Sequence, residues 1–239
     1  MTTLLMCASV LPSVQASVII NGTRVIYPAK EAELTVKLDN EGDLPVLVQT
    51  WLDRGDEGLA PESVKVPFTM MPPIFRMEPH KGQAVRVTYT HEALPGDKET
   101  LFWFNALEIP PKESDSSPEN KLQFAIRTRI KFIFRPDGLA GSAEEAYTKL
   151  QWTIANGADG KASLKVNNPS PYYVNFAKVG IQVDGRDIFN DGGGMVAPGQ
   201  SSEFPLQEKA SPVLRQAKAV FDVINDYGGI VRREEALVP

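Results

Sequence analysis

Leu122-Gln-Phe-Ala-Ile-Arg-Thr-Arg-Ile-Lys-Phe-Ile-Phe134 is the stretch whose reading decides the fold. Leu122, Phe124, Ile126, Thr128, Ile130, Phe132 and Phe134 recur at period two, with Gln123, Ala125, Arg127, Arg129 and Lys131 between them. A two-residue period places successive side chains on opposite faces of a β-strand. At about 3.3 Å per residue such a strand extends roughly 43 Å, well beyond the ordinary strand. Alternation alone leaves two outcomes open. The apolar row is buried in its own sheet, or part of it runs past the available partners and leaves an edge on which another chain can pair.

Outward from this stretch the pattern stays β. Alternating or apolar runs fall at 17–27, 32–39, 45–52, 68–77, 83–90 and 101–109, broken by Gly, Pro, Asn and Asp. Pro72-Pro73 marks 68–77 as an edge or irregular strand, because proline donates nothing to a ladder. The mostly apolar run 101–109 reads as a central strand. With 122–134 these make seven strands, a count and spacing that suggest an immunoglobulin-like sandwich. Arg135-Pro136-Asp137-Gly138 interrupts the series, and strands resume at 149–154, 162–167, 172–183, 202–207, 218–225 and 229–233. The expectation is an all-β chain of two sandwich domains, at 17–136 and 140–239, preceded by a leader at 1–16.

Residues 1–16 are small, apolar and uncharged, and end in Val14-Gln15-Ala16, a sequence suited to cleavage before Ser17. Export follows from that reading. Cys7 is the only cysteine, so a mature chain carries no disulfide and is held by core burial. The net charge of −5 argues against a general nucleic-acid binder. No HExxH, GxSxG or Walker sequence occurs, so an enzyme is disfavoured. Asp191-Gly192-Gly193-Gly194 lacks the Lys-Ser/Thr of a phosphate loop and reads as a hairpin turn. Asp184, Asp187 and Asp191 match no calcium-loop spacing, and His80 and His91 read as solvated loop residues.

Six segments occur in order: Gly22-Thr-Arg-Val-Ile-Tyr27, Glu99-Thr-Leu-Phe-Trp-Phe-Asn105, Glu108-Ile-Pro-Pro111, Ile130-Lys-Phe-Ile-Phe-Arg-Pro136, Asn168-Pro-Ser-Pro-Tyr-Tyr173 and Ile224-Asn-Asp-Tyr-Gly-Gly229. Together they resemble the PapD-like periplasmic pilus chaperones of the chaperone–usher pathway, along essentially the whole mature chain. The resemblance implies two immunoglobulin-like domains set as a boomerang. It implies a periplasmic protein, working without cofactor or metal, that lends a strand to incomplete pilin subunits and delivers them to an outer-membrane usher. By position, Leu122, Phe124 and Ile126 match the donated apolar row. Arg24 and Lys131 match the anchor for the subunit's C-terminal carboxylate, although on the residues alone they read as solvated strand charges. Lys131 has the opposite parity to Leu122, so plug and anchor leave opposite faces of a regular strand. Glu99, Arg135 and Asp226 match charges linking the two domains. The short loop 112–121, without flanking cysteines, resembles the short-loop branch of the family. The competing class is a secreted two-domain adhesin or structural pilus component. Such a subunit needs a missing strand or a donor extension, whereas Ser17 here leads directly into a strand.

Overall fold

The computed structural model describes residues 17–111, 123–156, 161–190, 192–209 and 217–238. Strands β1 (Val18–Ile20), β2 (Arg24–Pro28), β3 (Glu33–Asn40), β4 (Val46–Asp53), β5 (Phe68–Met71), β6 (Ile74–Met77), β7 (Gly82–Tyr89), β8 (Thr100–Ile109) and β9 (Ile126–Arg135) form one sandwich. Its two sheets have the orders β1-β3-β7-β5 and β2-β9-β8-β4-β6. A second sandwich contains β10 (Gln151–Asn156), β11 (Lys161–Asn167), β12 (Val174–Val183), β13 (Arg186–Phe189), β14 (Gly194–Val196), β15 (Ser201–Lys209), β16 (Lys218–Ile224) and β17 (Ile230–Ala236). There β10-β11-β15 faces β13-β12-β16-β17, with β14 paired to β12.

Each sandwich has its own core. The first buries Tyr27, Phe68, Phe102, Phe104, Phe132 and Phe134 between its sheets, and the second closes around Trp152, Phe176, Phe204 and Phe221. Aromatic rings meet edge-to-face in both, as in Phe68–Phe102 at 5.1 Å and Phe176–Phe221 at 5.8 Å. The Tyr27 hydroxyl is kept satisfied by donating to the Glu31 and Ala32 carbonyls and accepting from the Tyr89 N–H.

Two runs that read as single strands are each divided between sheets. Run 17–27 breaks at Gly22, whose φ of 129° is open to glycine alone; β1 pairs antiparallel with β3, and β2 parallel with β9. Run 68–77 breaks at Pro72-Pro73, leaving β5 beside β7 in one sheet and β6 beside β4 in the other. Strand β8 is central, between β9 and β4. Run 149–154 is shortened at its start, where 146–149 form a 3-10 turn. Asp191 lies outside the described residues. The chain after it enters β14, and just before that strand Gly193 passes so close to β12 that a Cβ would collide with the Phe176 carbonyl oxygen.

The organising strand also differs from its sequence reading. Its ladder runs from Ile126 to Arg135, with Phe124 in an unpaired lead and Leu122 outside the described residues. Strand β8 covers one side of β9 from Ile126 to Phe134. Strand β2 covers the other side only from Lys131 onward. Among the described residues, the second side of residues 126–130 has no partner strand.

Candidate functional site

The site begins where β2 stops. On β9 the even-numbered row faces the domain core, and its cover fades along the strand. Phe134 and Phe132 are buried and Ile130 packs on the core rim. Thr128 and Ile126 are half-buried, and Phe124 is 53% exposed. The same row that anchors β9 in its own sandwich therefore becomes an open apolar row along its unpaired edge.

The odd-numbered row stiffens this edge. Arg127 and Arg129 lie over the rings of Trp51 and Trp103 at 4.8 and 4.2 Å. Both donate to the buried carboxylate of Asp53, Arg129 also to Glu57. Burial pushes the Asp53 carboxyl up, but hydrogen bonds from Arg129, Asn105 and the Gly55 N–H outweigh it and hold the group below the usual range. This clamp escaped the sequence reading, since Asp53 and Arg129 are 76 positions apart and no local pattern joins them.

Lys131 ends the free edge and pairs in register with Arg24, the first residue of β2. Parallel partners put both cations on one face, turned toward the second sandwich. The Arg24 Nη1 donates to the Ile224 carbonyl at 3.2 Å, and the Lys131 Nζ donates to Asn175 Oδ1 at 2.6 Å. Both acceptors belong to the second sandwich. Among the described residues neither cation has a carboxylate within ion-pair distance, and the buried Arg24 Nε has no hydrogen-bond partner. Burial, reinforced by the Arg24 charge, pushes Lys131 down to about 8. Burial also lowers Arg24, against the opposing pull of Asp226. Two half-buried like charges with spare donors have the chemistry to hold an anion. Asn175 and Ile224 also line a cavity of about 420 Å³ on the second sandwich, bounded by Tyr147, Tyr173 and Arg233.

The third expected group is brought together as well. Arg135 Nε donates to Glu99 Oε1 at 2.6 Å, and its Nη atoms donate to both oxygens of Asp226 at 2.8 and 3.2 Å. Glu99 Oε2 accepts the Tyr173 N–H, and the Glu99 N–H reaches the Pro171 carbonyl at 3.0 Å. Burial would lower the Arg135 guanidinium, but Asp226 and Glu99 outweigh it and raise it. Burial pushes Glu99 up despite Arg135 and the Tyr173 N–H. Of the eight residues singled out by sequence, the structure thus places seven, and Leu122 lies outside the described residues. Asn175 and the Ile224 carbonyl were missed, although Tyr173 and Ile224 stand within quoted motifs.

The parity difference between plug and anchor holds. The β9–β8 register runs without a bulge.

Family models cover both sandwiches: the pili and flagellar-assembly chaperone PapD N-terminal domain matches residues 17–140, and the pili assembly chaperone PapD C-terminal domain matches 145–235. The chain belongs to the PapD family of pilus chaperones. Within this PapD family, the probable fimbrial chaperone YadV of Escherichia coli K12 is 42% identical over 228 residues, 94% of this chain and 92% of that one. MrkB of Klebsiella pneumoniae is 42% identical over 218 residues, 90% and 89% of the two chains. The solved CupB2 chaperone of Pseudomonas aeruginosa superposes with a TM-score of 0.77 at 40% identity, covering 92% of this chain and 100% of that one. The Salmonella enterica SafB chaperone, solved in complex with the SafA pilin, gives 0.76 at 30% identity, covering 95% and 99%. PapD-family chaperones of the chaperone–usher pathway are periplasmic.

Proposed function

We propose that this PapD-family chaperone binds incomplete pilin subunits by adding the open edge of β9 to their sheet, and passes them to an outer-membrane usher. The observation that carries the mechanism is the half-buried Arg24–Lys131 pair, with no carboxylate within ion-pair distance among the described residues, at the end of that edge. A guest's C-terminal carboxylate supplies the missing anion, and each charge-assisted hydrogen bond contributes roughly 1.5–3 kcal/mol.

The anchor also sets direction and register. A guest strand whose last residue sits at Lys131 and whose body lies along residues 126–130 runs parallel to β9, in line with β2. Main-chain pairing supplies affinity, and Ile126, Phe124 and Leu122 fill the guest's groove. Burying each of these side chains is worth about 1.5–3 kcal/mol before ordering costs. Release needs no nucleotide on this reading, because the next subunit's extension displaces β9 and packs better. The Glu99–Arg135–Asp226 bridge holds the sandwiches at the angle that keeps Asn175 and Ile224 beside the two cations. The leader 1–16 directs export and is cut after Ala16.

The test is co-export with a fimbrial subunit. Arg24→Ala and Lys131→Ala leave a folded chaperone and abolish recovery of the complex; recovery at the parental yield with either variant overturns the anchor.

A further inference from the structure

Glu108, near the end of β8, gathers the start of the described chain. Its Oε2 accepts the N–H groups of Ser17 and Val18, both at 3.0 Å, and its Oε1 accepts the Ser17 hydroxyl at 2.5 Å. The Ser17 carbonyl accepts the Glu41 N–H at 2.7 Å. The turn beside it fits closely: a Cβ on Gly42 would come within 2.6 Å of the Ser17 Cβ. Ser17 therefore uses every polar group it has, and it joins two sheets. β1 belongs to the β1-β3-β7-β5 sheet, whereas Glu108 stands in the other, opposite Ile126, where the β9 ladder begins. Among the described residues no lysine, arginine or histidine lies within ion-pair distance of this half-buried carboxylate. Three donors converge on it, and none brings a full positive charge.

We infer that Glu108 is the receptor for the α-ammonium created when the leader is cut before Ser17, so that processing itself completes an ion pair between the two sheets. The inference rests on the export reading above. In the uncut chain the Ser17 nitrogen is a peptide nitrogen with one N–H. Hydrolysis of the Ala16–Ser17 bond consumes one water, leaves a carboxylate on Ala16 and frees an amine on Ser17. An α-amine has an ordinary pKa of about 8 and is mostly protonated at neutral pH. The nitrogen then offers three N–H donors and a unit charge, already at hydrogen-bond distance from Oε2. The bond to a carboxylate is already charge-assisted on the acceptor side, and the ammonium adds the opposite charge on the donor side. The tie secures β1 and the end of β8 on the flank where β9 becomes an open edge.

The test is a comparison of two chains. One begins at Ser17; the other carries an N-acetylated Gly-Ser before it, which preserves the peptide N–H at Ser17 and leaves no α-ammonium. Glu108→Gln, which keeps size and acceptor, is made in each. Urea unfolding at pH 7 is expected to show the substitution raising the unfolding constant about tenfold more in the Ser17 chain than in the extended one. Acetylating the α-amine of the Ser17 chain is expected to abolish that difference. Equal effects of Glu108→Gln in both chains overturn the ion pair alone. Mass spectrometry of the exported protein reads the cut independently: a start other than Ser17 overturns the export reading and this inference with it.

Discussion

Replacing Lys131 by methionine separates what the anchor does for a guest from what it does to the free chaperone. Lys131 is half-buried beside Arg24, and its pKa falls from 10.5 to about 8. A base whose folded pKa is depressed opposes folding below that pKa, and the penalty is relieved as pH rises from about 8 to about 10.5. At about 1.4 kcal/mol per pKa unit the penalty is bounded near 3.5 kcal/mol, and solvent reaching the side chain reduces it to about 1–2 kcal/mol. Methionine removes the charge but leaves Asn175 Oδ1, now bonded to Nζ, without that donor, at a cost of about 1–3 kcal/mol that does not vary with pH. The pH dependence therefore isolates the charge. In urea titrations of the free proteins, the parent gains about 1–2 kcal/mol on the Lys131→Met variant between pH 7 and pH 10.5. A parent-minus-variant difference that is flat, or that falls with pH, refutes the argument that the anchor is held as a buried, uncompensated cation. Guest affinity runs the opposite way: it falls as pH rises through about 8, because only charged Lys131 rewards a carboxylate.

Phe124→Asp leaves the melting temperature of the free protein within a few degrees, since this side chain is 53% exposed, and weakens subunit binding by about ten- to a hundredfold through the lost burial; calorimetric titration reads both. Phe132→Ala, in the same row but fully buried, unfolds the domain instead, at about 3–5 kcal/mol, as circular dichroism in urea reports. Asp226→Asn strips the charge from the two-pronged contact with Arg135 and widens the distribution of interdomain angles in solution scattering; a profile identical to the parent's removes the bridge from the account.

The alternation at 122–134 announced a strand and its apolar face, and the six ordered motifs announced the family. Neither reveals where the edge is free, because that depends on where β2 begins. Gly22 ends β1 and lets the chain cross to the other sheet, so Arg24 opens β2 opposite Lys131 and residues 126–130 are left uncovered. Periodicity is local and does not say which sheet a strand joins, so 17–27 and 68–77 each read as one strand. The partners of the anchor were beyond any pattern: Asn175 lies 44 positions from Lys131 and the Ile224 carbonyl 200 from Arg24. They meet where the two sandwiches come together, beside the contacts of Arg135 with Glu99 and Asp226. Arg135 shows what the resemblance adds. Local pattern gave only a charge at a domain junction, whereas the family match named Glu99 and Asp226 as its partners, and the structure brings the three together.

Hydrogen exchange at the amides of β9 tests the central claim most directly. In the free chaperone, Phe132 and Phe134, enclosed by β8 and β2, exchange slowly, whereas the amides of residues 126–130 that point away from β8 exchange within the fast range of open edges. Binding a fimbrial subunit is predicted to slow those edge amides selectively, up to the limit set at Lys131. Edge amides already protected in the free protein, or unchanged in the complex, contradict strand donation by β9.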